Sequence, residues 1–80
     1  MLAYRNAAGA VMTVFKTENG KYSIYKHNGI SEEDCFKKAR VPVGEGRGYI
    51  ERDTRTEAEY MLRYICENRL RDKTYKEVTL

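Results

Sequence analysis

The alternation of apolar and polar positions changes period several times along this chain. Residues 11–17 (Val-Met-Thr-Val-Phe-Lys-Thr) and 22–25 (Tyr-Ser-Ile-Tyr) are dense in β-branched and aromatic side chains, as strands are. Between them stands Glu18-Asn19-Gly20-Lys21. An Asn-Gly pair takes up the positive φ angles of a type I′ turn, whose twist suits two antiparallel strands. With Asn19 and Gly20 as the loop, Glu18 is expected opposite Lys21, Thr17 opposite Tyr22, Phe15 opposite Ile24 and Val14 opposite Tyr25. Alternation then sorts the side chains into two faces. One carries Val11, Thr13, Phe15, Tyr22 and Ile24, with Lys26 at its end, and is expected to be core. The other carries Met12, Val14, Lys16, Glu18, Lys21, Ser23, Tyr25 and His27, and is expected to look outward.

Farther along, the period lengthens. Ser31 with Asp34, between Ile30 and Cys35, has the pattern of a capping box inside a hydrophobic staple. Cys35, Phe36 and Ala39 give a short helical stripe; Lys37, Lys38 and Arg40 suit the negative end, and Pro42 stops it. Residues 41–43 and 49–52 read as short strands joined by Gly44-Glu45-Gly46-Arg47-Gly48. Thr54-Arg55-Thr56-Glu57 is a second capping box. The helix it opens is predicted to run to about Arg71, with Ala58, Met61, Leu62, Ile65, Cys66 and Leu70 as the buried stripe. Residues 75–80 alternate like a strand, and a further strand is possible at 2–5. The predicted fold is a single α+β domain over 1–80. It is a small antiparallel sheet of three to five strands with two helices on one face, in the order β-β-α-β-β-α-β.

Size narrows the function. At 80 residues the core must be thin. The walls of a deep pocket would come from the same few apolar residues that hold the fold. No window is long and apolar enough for a membrane span. Residues 1–6 lack the basic segment and apolar run of a secretory signal, so a cytoplasmic protein is expected. Cys35 and Cys66 fall on predicted helix stripes and are expected to be reduced core thiols. Two cysteines and one histidine, with no C-x-x-C pair, argue against a metal site. The net charge of +3 is mild but uneven. Residues 1–30 carry Arg5, Lys16, Lys21 and Lys26 against Glu18 alone, so the whole excess lies there.

No catalytic constellation stands out. His27, beside Asn28-Gly29, has no acid or nucleophile at a telling spacing, and the acids cluster at helix starts, where capping accounts for them. No phosphate loop, nucleophile elbow or zinc-protease motif is present. The glycines at 44, 46 and 48 precede a predicted strand, not the helix that a dinucleotide fingerprint requires. As a hairpin loop they would offer Arg47 and backbone N–H groups to an anionic partner. Seven tyrosines without a tryptophan form the other unusual feature. Tyr60 and Tyr64 are expected to flank the core with their hydroxyls in water. Tyr25, expected beside Lys16, Lys21 and His27, gives a tyrosine-and-lysine face. Such a face suits a protein partner, or bases and phosphates.

An Asn-Gly-Lys-Tyr hairpin turn followed by Asp53-Thr54-Arg55-Thr56-Glu57-Ala58 at a helix start is similar to the three-stranded DNA-binding domains of plant transcription factors and of integrase N-terminal arms. That resemblance covers about a third of the chain and implies a sheet that enters the major groove with a helix packed behind it. The predicted helix after Ser31 and the balanced charge of residues 31–80 depart from the pattern. In size and style the chain also looks like small phage or mobile-element accessory proteins, stoichiometric inhibitors among them. The expectation is a binding protein without enzymatic activity or cofactor, acting on a protein or ribonucleoprotein through Lys16, Lys21, Tyr25, His27 and Arg47. The alternative is a DNA- or RNA-binding module using the same hairpin face.

Overall fold

The computed structural model describes residues 1–27, 39–40 and 50–79. Its elements are β1 (Leu2–Arg5), β2 (Val11–Lys16), β3 (Tyr22–His27), β4 (Ala39–Arg40), α1 (Arg55–Tyr64), a π-helical turn (Ile65–Arg69) that prolongs α1, and β5 (Lys76–Thr79). All strand pairings are antiparallel, in the order β4-β3-β2-β1-β5. The small α+β architecture agrees with the sequence, including the strands at 2–5 and 76–79. One helix stands among the described residues. The helix predicted after Ser31, the strand at 41–43 and the glycine loop with Arg47 lie outside them, except that Ala39–Arg40, expected to end that helix, form β4 against Tyr25 and Lys26. The hydrogen-bonding edge of β3 claims these residues over their helical spacing. Of the strand expected at 49–52, the described residues 50–52 form one bridge, in which Tyr22 and Arg52 exchange 2.9 Å N–H···O bonds on that same edge.

The two hairpins share one turn design. In Asn6-Ala7-Ala8-Gly9-Ala10 the Asn6 N–H donates to Ala10 O at 3.0 Å and Gly9 N–H to Asn6 O at 3.1 Å. In Thr17-Glu18-Asn19-Gly20-Lys21 the matching bonds are Thr17 N–H to Lys21 O at 2.7 Å and Gly20 N–H to Thr17 O at 3.1 Å. Each turn has a left-handed glycine in its fourth place, Gly9 at φ 91° and Gly20 at φ 83°, and no other described residue has positive φ. This is the three-residue hairpin loop, with a glycine bulge after an ordinary turn. In both, the first side chain accepts from the last N–H: Asn6 Oδ1 from Ala10 at 2.8 Å and Thr17 Oγ1 from Lys21 at 3.2 Å.

That design overturns the two-residue loop expected at Asn19-Gly20 and moves the register by one. Lys16 now faces Tyr22, Phe15 faces Ser23, Val14 faces Ile24 and Thr13 faces Tyr25. The faces recombine accordingly. Met12, Val14 and Ile24 turn toward the helix. They form one core with Tyr4, Ile50, Ala58, Leu62, Ile65, Cys66 and Tyr75, against which Leu2, Tyr22, Met61 and Leu70 also pack. The opposite face holds Ala3, Val11, Thr13, Phe15, Ser23, Tyr25 and His27. All of these are buried except Phe15, which is half-buried.

Helix α1 starts where its cap dictates. The Thr54 hydroxyl accepts from the Glu57 N–H at 3.2 Å and donates to the Glu57 carboxylate at 2.8 Å. The stripe read from the sequence is the one buried: Ala58, Leu62, Ile65 and Cys66, with Met61 and Leu70 at its margin. The last turn widens so that Leu70 N–H reaches Ile65 O at 3.1 Å, and Leu70 itself is extended and ends the helix. Polar ties fix α1 to the sheet. Arg55 donates to Val14 O at 3.0 Å with its guanidinium 5.3 Å from the Tyr22 ring centre, the Tyr4 hydroxyl donates to Glu67 at 2.9 Å, and Arg63 pairs with Glu77 of β5.

Candidate interaction surface

The residues expected to form a binding face are not brought together by the hairpin. Lys16 is exposed and lies on the helix-side face with Met12 and Val14. Tyr25 and His27 lie on the other face and are buried, at 9 % and 4 % exposure. Their rings pack on Phe15, each with its centre 5.8 Å from the Phe15 ring centre. His27 Nε2 meets Thr13 Oγ1 at 3.1 Å. Lys21 is exposed in the turn and forms an ion pair with Asp53, just before the helix cap. The hydrogen bond and charge of that pair raise the Lys21 pKa and lower that of Asp53. Arg47 lies outside the described residues. The correction follows from the register: β3 slides by one residue against β2, and Tyr25 and His27 join Val11, Thr13 and Phe15. The face that the DNA-binding resemblance would send into a groove, opposite the helix, is a buried face here.

Among the described residues, the exposed aromatic surface is on α1. Tyr60 is 72 % exposed and Tyr64 is 47 % exposed. They stand four residues apart on the side away from the Ala58, Leu62 and Ile65 stripe, so their rings are neighbours on the helix surface. Tyr60 borders two open hollows. One, of about 360 Å³, is lined by Arg52, Thr56, Glu57, Tyr60 and Met61. The other, of about 190 Å³, is lined by Tyr60, Arg63, Tyr64, Glu67 and Asn68. The charged groups beside the rings already have partners within the chain: Arg63 holds Glu77, and Glu67 accepts from Tyr4. Burial, then the bond to Glu67, pushes the Tyr4 hydroxyl up to about 12. This surface therefore offers aromatic area in a frame of satisfied charge. The sequence carried a signal for it, since both tyrosines fall off the apolar stripe.

Other chemistry is sparse. No group of His, Cys, Asp and Glu among the described residues is arranged to hold a metal ion. Cys66 is a free, buried thiol, and its Sγ lies 3.8 Å from Met12 Sδ. Cys35 lies outside the described residues. No described helix is long and apolar enough to cross a membrane. In comparisons with known proteins, no family model, no curated protein and no solved structure matches this chain.

Proposed function

We propose that this is a non-enzymatic binding protein that forms a stoichiometric complex with a protein or ribonucleoprotein, docking its partner on the outer face of α1. The observation that carries this reading is the exposed pair Tyr60 and Tyr64 on a helix whose other side is fully anchored. Tyrosine gives a large contact area with few rotatable bonds, and interface centres are enriched in it. The helix beneath is held by the buried stripe and by the Tyr4–Glu67 and Arg63–Glu77 ties, so little backbone freedom remains to be lost on binding. An accessory or inhibitory role suits a chain of this size, which needs only one good surface to occupy a partner's site.

Direct nucleic-acid binding by the hairpin is the weaker reading. Tyr25 and His27 are buried, and Lys21 is engaged by Asp53. The test is capture of partners from the natural host with and without nuclease, using the wild type and a Tyr60→Ala plus Tyr64→Ala variant. An interface anchor of this type is worth about 2 kcal/mol or more, roughly a thirtyfold loss of affinity. Exposed sites shift stability by less than about 0.5 kcal/mol. Loss of capture with a near-normal melt is expected. Full capture by the folded double variant would remove the tyrosine face from the function.

A further inference from the structure

We propose that the outer edge of β5 accepts an extended acidic segment of a protein partner, added to the sheet as a further strand. An acidic side chain would lie against Arg5 and Lys76 and an apolar one against Val78. Strand β5 ends the sheet, beside β1, and no described strand pairs with its outer edge. Lys76, Glu77 and Thr79 are exposed, and Val78 is half-buried. An open edge presents unsatisfied backbone N–H and C=O groups, and peptides that bind as added strands use such groups for affinity and alternate side chains for selection.

The sign of the selection comes from the register. Arg5 stands directly opposite Lys76, on the same face, and both are exposed. Like charges in that position repel. Two exposed basic side chains meet acids, Lys21 with Asp53 and Arg63 with Glu77, and no ion pair involves Arg5 or Lys76 among the described residues. On the other face of β5, Glu77 is occupied by Arg63. Among the described residues, the charge left on this face of β5 for an incoming strand is therefore positive. Two residues beyond Lys76, Val78 stands opposite the buried Ala3 and leaves apolar surface at the margin. An incoming strand with an acid and an apolar residue two positions apart complements both and relieves the repulsion.

The probe is the peptide acetyl-Glu-Thr-Val-Thr-Glu-amide, which presents that pairing in either strand direction, titrated into isotope-labelled protein and followed by amide shifts and hydrogen exchange. Shifts and slowed exchange centred on residues 76–79 are expected, with at least tenfold weaker binding of the peptide carrying Lys in place of Glu. The Arg5→Glu plus Lys76→Glu variant should reverse that preference. Equal binding of the two peptides, or no change at β5 at millimolar concentration, would overturn the proposal. So would inorganic phosphate reproducing the shifts with the same exchange protection. The site is independent of the tyrosine face: the Tyr60→Ala plus Tyr64→Ala variant should bind the peptide as the wild type does, so either site can fail without the other.

Discussion

Replacing Gly20 by Ala isolates the conformational demand of a hairpin turn. At φ +83° a built Cβ meets no atom within 4 Å, so there is no clash to relieve. The whole cost is the left-handed backbone, about 1–2 kcal/mol for an L-residue. Loss of unfolded-chain freedom offsets about 0.4–1 kcal/mol of it. A net destabilisation of about 1 kcal/mol is expected, which moves the melting temperature of a domain this size down by about 4–8 °C. Gly9, at φ +91° and equally open, should cost the same to replace within about 0.5 kcal/mol. Urea unfolding followed by circular dichroism measures both, and the slope against denaturant should not change. The mirror experiment is sharper. Chemical synthesis with D-alanine at position 20 favours positive φ and should stabilise the fold. A neutral or stabilising Gly20→Ala, or a destabilising D-alanine, would refute the glycine-bulge turn and the register built on it.

Leu62 is fully buried at the centre of the helix–sheet core. Leu62→Ala should cost about 2–5 kcal/mol, a large part of the few kcal/mol that hold such a domain, and a melt shifted by under 3 °C would place α1 outside the core. Asp72 accepts from the Thr74 hydroxyl and N–H and from Asn6, which holds its carboxyl below the usual range. Its contribution is therefore complete above about pH 4 and is lost as the pH falls further. Asp72→Asn should flatten the fall in melting temperature between pH 5 and 2, and an unchanged acid limb would refute this. Burial, with Glu67 adding to it, pushes the Cys66 thiol up to about 12. Iodoacetamide at pH 8 should label Cys66 slowly in the native protein and quickly in urea, as mapped by mass spectrometry. Because the raised value favours the neutral thiol in the fold, its contribution is lost as the pH rises above about 8.5.

Local chemistry made much of this fold readable. The Thr54 cap, the stripe from Ala58 to Cys66 and the strand character of β2 and β3 each rest on neighbouring residues, and the structure keeps them. What failed was a single count. Asn-Gly fits a two-residue loop and a three-residue loop with equal ease, and the choice turns on whether Asn19 takes positive φ, which it does not. One residue of slip transposed the β3 faces relative to β2. The apolar pattern gave no warning, because both faces of the hairpin are largely buried and both are rich in apolar or aromatic side chains. The first hairpin had no Asn-Gly to announce it; Asn6 and Gly9 make the same turn with alanines between. The expected binding face failed with the register. Tyr60 and Tyr64 could be placed off the core from spacing alone, but their degree of exposure depends on what packs around the helix.

The pairing of Leu2 with Thr79 has a kinetic meaning. Helix α1 and both hairpins are local, and each can form from a short stretch of chain. The ladder between β1 and β5 is not. It closes a loop that contains every other element, so it raises the contact order and forms late. Until then β1 has one open edge next to Tyr4 and Leu2. A β5 from a neighbouring molecule satisfies that edge as well as the chain's own does. Refolding from concentrated denatured protein should therefore give strand-exchanged dimers, which dilution converts back to monomer only as fast as β5 can peel away.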